Sequence, residues 1–200
     1  MRRRSRLGNR PSGLGLKKAL RERRTIVFLD ESGLSERPYR ICTWAPLGQT
    51  PVLQFTLNNW QRMSAIAGLT ARTFCFRLHR GAIRGEQVVG FLRQLRRFLG
   101  RRRLLVIWDR APIHRKSAKV RNYIENLGGR IEVAYLPAYA PELNPIEYLW
   151  GYWKRTELAN FCPKDIWELG HFASQALKRV RRQPRRIQLI SAFYKQAELF

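Results

Sequence analysis

Acidic residues are scarce in this chain of 200 residues, because 14 Asp and Glu stand against 39 Lys and Arg, a formal net charge of +25. So positive a field attracts polyanions, of which nucleic acid is the commonest and an anionic membrane surface the main alternative. No window approaches 18 uninterrupted apolar residues, so no membrane-spanning helix is expected. The basic start lacks the apolar core of a secretory signal, although an Arg-rich, acid-poor start also fits a transit peptide.

Cysteine is nearly absent as well. Cys42, Cys75 and Cys162 lie far apart, with no CxxC pair and no Cys–His pair at ligand spacing. A zinc site is therefore not expected. Three reduced and mostly buried thiols in a reducing compartment are the expectation.

Apolar periodicity predicts a mixed α/β sheet flanked by helices, with a helical C-terminus. Strands are predicted over residues 25–30, 39–46, 51–57, 64–70, 73–78, 101–109 and 131–136, and helices over residues 85–100, 117–129, 145–159, 163–182 and 185–199. Antiparallel hairpins come first and a parallel strand–helix–strand crossover follows. Residues 1–24 are expected to be a mobile basic arm with a short helix over 16–23, residues 25–160 the main domain, and residues 161–200 a basic helical extension.

Two acids occupy unusual positions, since Asp30 and Asp109 each follow a run of apolar residues and so end a buried strand. Carboxylates brought together at the carboxyl ends of strands repel one another unless a cation lies between them. Mg²⁺ or Mn²⁺ would relieve that repulsion, and two such ions roughly 3.5–4 Å apart could activate water and stabilise a leaving oxygen. The alternative is that each Asp is a turn or capping residue. Glu31 is a second choice, because a continuing strand turns it to the opposite face.

A third acid follows in the stretch IEVAYLPAYAPELNPIEYLW, residues 131–150, where a strand leads through a proline-rich corner into a helix. Glu147 lies in the first turn of that helix. The segment Asn144-Pro145-Ile146-Glu147 also fits a capping box, so Glu147 could simply cap, and Glu142 could be the ligand instead. His114 is interpreted as a residue that supports the metal site by hydrogen bonding near Asp109, and not as a catalytic base.

These motifs, TIVFLDESG, LLVIWDRAPIH and LPAYAPELNPIEYLW, resemble the catalytic domain of insertion-sequence transposases of the IS630 group, in the Tc1/mariner superfamily of DDE enzymes. The resemblance covers about residues 25–160. It implies an RNase H-like fold, two Mg²⁺ ions and a catalytic, metal-binding triad of Asp30, Asp109 and Glu147, supported by His114, Asn144 and Glu31. It also favours Glu147 over Glu142.

The resemblance implies cleavage of transposon ends and strand transfer into target DNA at TA sites, in a prokaryotic, cytoplasmic and nucleoid-associated setting. DNA contacts are expected from Arg96, Arg97, Arg101, Arg102, Arg103, Arg110, Lys154, Arg155, Lys178, Arg179 and Arg182. Arg110 departs from the family, which usually has Asn there. Only 24 residues precede the first strand, so the chain is interpreted as the downstream half of a transposase. Its partners would be a second copy or a polypeptide carrying a helix-turn-helix.

Two other functions share these features. A truncated chain could keep the fold and the basic surface and regulate transposition by binding DNA without productive catalysis. A repair or junction nuclease of the same fold is the third possibility.

Overall fold

A single mixed sheet organises the molecule, which is described by a computed structural model over residues 13–55, 61–137 and 141–187. Its strands are β1 (Thr25–Ser35), β2 (Arg62–Leu69), β3 (Phe74–Arg80), β4 (Leu104–Trp108) and β5 (Ile131–Tyr135). Their order across the sheet is β3-β2-β1-β4-β5. The β1–β2 and β2–β3 pairs are antiparallel, and the β1–β4 and β4–β5 pairs are parallel. The predicted mixed architecture is therefore confirmed.

Helices cover both faces of the sheet. They are α1 (Gly13–Arg21), α2 (Gly85–Phe98), α3 (Pro112–Arg115), α4 (Ala118–Glu125), α5 (Ile146–Tyr152) and α6 (Ile166–Arg181). Helices α2 and α4 bury apolar side chains against one face of the sheet. On the other face, α5 and α6 cover β2 and β3, and α1 covers β1 and β4. The result is three layers, with the central strands buried on both sides.

Helix α1 belongs to this packed structure. Ala19 is 1% exposed and, with Leu16, contacts the cluster that contains Ile26 and Phe28. Arg24, also buried, donates to the carboxylates of Glu22 and Glu132 at 2.6 and 2.8 Å. The expected short helix is thus present and docked on the sheet. The prediction of a mobile arm over residues 1–24 is therefore wrong for residues 13–24, and residues 1–12 lie outside the described residues.

The predicted strands over residues 39–46 and 51–57 are wrong as far as the structure describes them, to residue 55. That segment has only an isolated bridge between Tyr39 and Ala159. Trp44 and Leu47 are fully exposed. A physical reason is that β1, the preceding strand, already has both edges occupied, by β2 and β4, and cannot form a hairpin with this segment.

The helical C-terminal part is shorter and less regular than predicted. The helix expected over 145–159 divides into α5 and a π-helical turn, Trp153–Glu157, and α6 begins after its N-cap Asp165. Of the helix expected over 185–199, residues 184–187 are helical and the rest lies outside the described residues. All three thiols are free, but Cys42 is exposed, so they are not mostly buried. None of the helices in the described ranges is long and apolar enough to cross a bilayer.

Candidate active site

Asp30 is a buried carboxylate on the face of β1 that α5 covers. Its side chain accepts a hydrogen bond at 3.1 Å from Nε1 of Trp150, on α5, and the residue is only 7% exposed. Burial raises the pKa of Asp30 to about 7, and the negative charges of Glu147, Glu31 and Asp109 act in the same direction. Three neighbouring carboxylates therefore lie close enough to disfavour ionisation of Asp30.

Asp109 follows directly after β4, beside Asp30. Phe28 pairs with Ile107 in the parallel β1–β4 ladder, and each acid lies two residues further along its strand. The Oδ1 atom of Asp109 accepts a hydrogen bond at 3.0 Å from the backbone N–H of Ala111. The side chain is about half exposed, so this acid faces solvent at the end of the sheet.

His114 links Asp109 to Glu31. Its Nδ1 lies 2.7 Å from Oδ1 of Asp109 and its Nε2 lies 2.9 Å from Oε1 of Glu31, while the imidazole stacks on the indole of Trp108 at 4.5 Å. Burial alone lowers the pKa of His114, but the hydrogen bonds to both carboxylates outweigh it and raise the pKa to about 9. The hydrogen bond from His114 in turn holds the pKa of Asp109 below its usual value. Glu31 does lie on the opposite face from Asp30, yet His114 connects it to the site.

Glu147 projects from the first turn of α5 and is exposed. The predicted capping box is wrong, because the N-cap residue is Pro145 and no side chain caps the helix. Asn144 is buried, and its Oδ1 has no hydrogen-bond partner in the structure. Glu147 is thus a free carboxylate within the described part of the chain. Glu142 is exposed on a 3₁₀ turn and lines the same surface depression as Glu147.

The donor set suits a hard divalent cation. Carboxylate oxygens are the ligands that Mg²⁺ and Mn²⁺ prefer, and the mutual repulsion at Asp30 is what a bound cation would relieve. Within the described ranges, no group of three or more His, Cys, Asp or Glu side chains is already arranged to hold a metal ion. The chemistry of these residues therefore fits a metal, although the side chains are not set at ligand geometry.

Three of the predicted DNA-binding cations lie near the acids. Burial lowers the pKa of Lys154, and the nearby charges of Glu147 and Asp30 oppose that shift. Arg155 lines the depression around Glu147. Arg110 donates through Nε to the carbonyl of Leu136 at 3.1 Å, at the end of β5.

The other predicted cations lie elsewhere. Arg96 and Arg97 are near the C-terminal end of α2, and Arg101, Arg102 and Arg103 precede β4, at the end of the sheet opposite Asp109. On α6, Arg179 already pairs with Glu157 at 2.8 Å, Lys178 is half-buried, and Arg182 is the exposed C-cap.

Comparison with known proteins shows the family. A family model described as DDE superfamily endonuclease matches residues 25–169. The chain belongs to that family. Comparison with curated proteins finds no match.

Solved structures of DDE enzymes share the fold. The chain superposes on the Mos1 transposase in a pre-cleavage transpososome with a TM-score of 0.67 and 17% identity, covering 100% of this chain and 67% of that one. A mariner Mos1 paired-end complex with Mg gives a TM-score of 0.64 at 17% identity, covering 100% of this chain and 66% of that one. An intasome of simian T-cell lymphotropic virus gives a TM-score of 0.54 at 13% identity, covering 78% of this chain and 48% of that one. The fold is RNase H-like, and the chain spans about two thirds of the Mos1 chains.

One positioning contact in this DDE endonuclease does not follow from its sequence. Helical spacing predicts only that Trp150 and Trp153 pack α5 against the sheet, and both are buried there. Trp150 in addition donates its N–H to Asp30. An indole three residues after Glu147 is a weak signal by itself, since most aromatic residues at helical spacing pack in cores.

Proposed function

We propose that this chain is the catalytic domain of an IS630-type transposase that cleaves DNA phosphodiesters with bound divalent metal. The observation that carries the proposal is the group of acids at one end of the sheet, where a buried Asp30 lies within electrostatic reach of Asp109 and Glu147. Membership of an endonuclease family and the fold shared with Mos1 complexes support it. Transfer of the cut end into TA target sites is the finer part of the proposal and rests on the sequence resemblance.

Asp30, Asp109 and Glu147 would hold the metal ions. Mg²⁺ or Mn²⁺ bound there would supply an activated water and stabilise the leaving oxygen of the cleaved phosphodiester. The chain's own residues keep the ligands in place: Trp150 holds Asp30, and His114 holds Asp109. Lys154 and Arg155, next to Glu147, are placed to bind the phosphates on either side of the cleaved bond, and Arg110 lies next to Asp109.

A direct test is cleavage of supercoiled plasmid DNA by the purified chain. We expect nicked circles to accumulate with Mg²⁺ or Mn²⁺ and to disappear when EDTA is added. DNA that is bound without metal-dependent nicking would instead support the second candidate, a regulator that occupies DNA. That candidate is favoured by one observation, the cation Arg110 directly after the proposed metal ligand Asp109.

Trp150→Phe tests the positioning of Asp30. The variant keeps most of the buried aromatic surface but removes the N–H donor, so Asp30 loses its hydrogen bond. We expect a nicking rate about 10–100-fold lower, the usual effect of losing a group that orients a metal ligand. Trp153→Phe is the matched control, because its indole N–H bonds a backbone carbonyl of Ala173 instead of an acid. Equal rate losses in the two variants would mean that only packing is at stake.

A further inference from the structure

The three parallel strands of the sheet each begin after an arginine. Thr25, Leu104 and Ile131 are register partners across β1, β4 and β5, so the residues before them, Arg24, Arg103 and Arg130, form a row. Backbone hydrogen bonds fix this row, from Thr25 to the carbonyl of Arg103 at 2.8 Å and from Leu104 to that of Arg130 at 2.9 Å. Neighbouring strands lie about 4.8 Å apart, so the row spans roughly 10 Å.

Only Arg24 in this row is neutralised, since it is buried against Glu22 and Glu132. The arginines around it are exposed, and none has an ion pair or a side-chain hydrogen bond within the described ranges. This strand-start cluster consists of Arg23, Arg101, Arg102, Arg103 and Arg130. Glu22 and Glu132, the acids at this position, are already engaged by Arg24 and Lys18. The cluster is therefore a patch of uncompensated positive charge.

The cluster lies far from the acids of the active site. Strand β4 runs from Leu104 to Trp108, with Arg103 before it and Asp109 after it. At about 3.3 Å per residue the backbone of Arg103 is roughly 20 Å from that of Asp109. Arg101, Arg102 and Arg103, which are predicted to contact DNA, are therefore placed to contact it away from these acids.

We propose that the strand-start cluster is a second binding surface for duplex DNA, which contacts a segment other than the one being cut. The proposal rests on DNA being the substrate in the proposed function. Guanidinium groups bind phosphate oxygens in a two-pronged geometry, and the duplex presents a charge about every 1.7 Å along its axis. Such contacts carry no sequence information but fix the position of the duplex on the protein.

The test is the salt dependence of binding to a short fluorescein-labelled duplex of arbitrary sequence, measured in EDTA. Each phosphate contact contributes about 0.9 to the slope of log K against log salt, so Arg103→Gln/Arg130→Gln should reduce the slope by about 2. The matched control is Arg40→Gln/Arg121→Gln, which removes the same charge from exposed arginines on other elements. Its slope should change much less. Equal changes in both variants would overturn the proposal, because the cluster would then act only through net charge.

Two further measurements distinguish this surface from a part of the cleavage site and from a membrane-binding patch. Plasmid nicking by Arg23→Gln/Arg130→Gln at saturating DNA should proceed at the wild-type rate, because neither arginine lies at the cleavage site. If no variant nicks DNA but the slope still falls by about 2, the cleavage proposal fails and the second surface stands. The contrary result is that Arg103→Gln/Arg130→Gln loses binding to anionic phospholipid vesicles while its salt slope for duplex binding stays unchanged. That result would overturn the proposal, because the ligand of the cluster would then be a membrane.

Discussion

Glu147→Gln should lower the rate of Mg²⁺-dependent plasmid nicking on the order of 10³-fold, whereas Glu142→Gln should stay within about twofold of wild type. The substitution preserves shape and removes the charge of a proposed metal ligand. A bound metal provides several kcal/mol of transition-state stabilisation, and about 4 kcal/mol corresponds to a factor of 10³. Of the acids whose charges raise the pKa of Asp30, Glu147 has the largest effect, and Glu142 is not among them.

The comparison is internally controlled, because both glutamates are exposed and line the same depression. DNA affinity in EDTA should be equal in the two variants, which confines the difference to the chemical step. If Glu142→Gln were the inactive variant and Glu147→Gln retained activity, the assignment of the third acid would be wrong.

Asp30→Asn should stabilise the metal-free protein, increasingly so as the pH rises. The pKa of Asp30 is raised in the folded state to about 7, from 3.8 as the ordinary value. The folded protein therefore holds this proton more tightly than the unfolded chain does. The resulting stabilisation is complete below pH 4 and is lost as the pH rises towards 7 and above it. A shift of roughly three pH units corresponds to about 4 kcal/mol, and the neutral amide avoids this loss.

Urea unfolding in EDTA at pH 5 and pH 8 measures this effect. We expect the stability advantage of Asp30→Asn over wild type to be on the order of 2–3 kcal/mol larger at pH 8, since most of the lost stability falls between these pH values. Asn retains an acceptor for the Trp150 N–H, so that hydrogen bond is not the variable. An advantage that is the same at both pH values would show that Asp30 is not held in its protonated form by the fold.

The sequence was most informative where hydrophobic runs end in acids. The apolar runs before Asp30 and Asp109 predicted two buried strands. The helix between β4 and β5 predicted that β4 and β5 are parallel. Both signals are local in the sequence. The strands predicted within residues 39–55 are wrong because alternation cannot show whether a sheet edge is free. Strand β1 pairs with β2 and β4, and the residues of segment 39–55 give no sign that both edges of β1 are taken.

The candidate site was predicted as a set of residues but not as a set of contacts. Asp30 and Asp109 were identified by their positions at strand ends and Glu147 by its place at a helix start, but the supporting contacts join distant parts of the chain. The indole N–H of Trp150 reaches Asp30 across 120 positions, and His114 reaches Glu31 across 83. The same limit applies to the arginines, since only the strand register shows that Arg103 lies at the far end from Asp109.

The hydrogen bond from Trp150 to Asp30 has a consequence for biosynthesis. The indole that fixes Asp30 is synthesised 120 residues after that acid. Nascent chains that do not yet include α5 therefore contain Asp30 without the hydrogen bond from Trp150. The proposed metal site would consequently be completed only once Trp150 and Glu147 have docked together as parts of one helix.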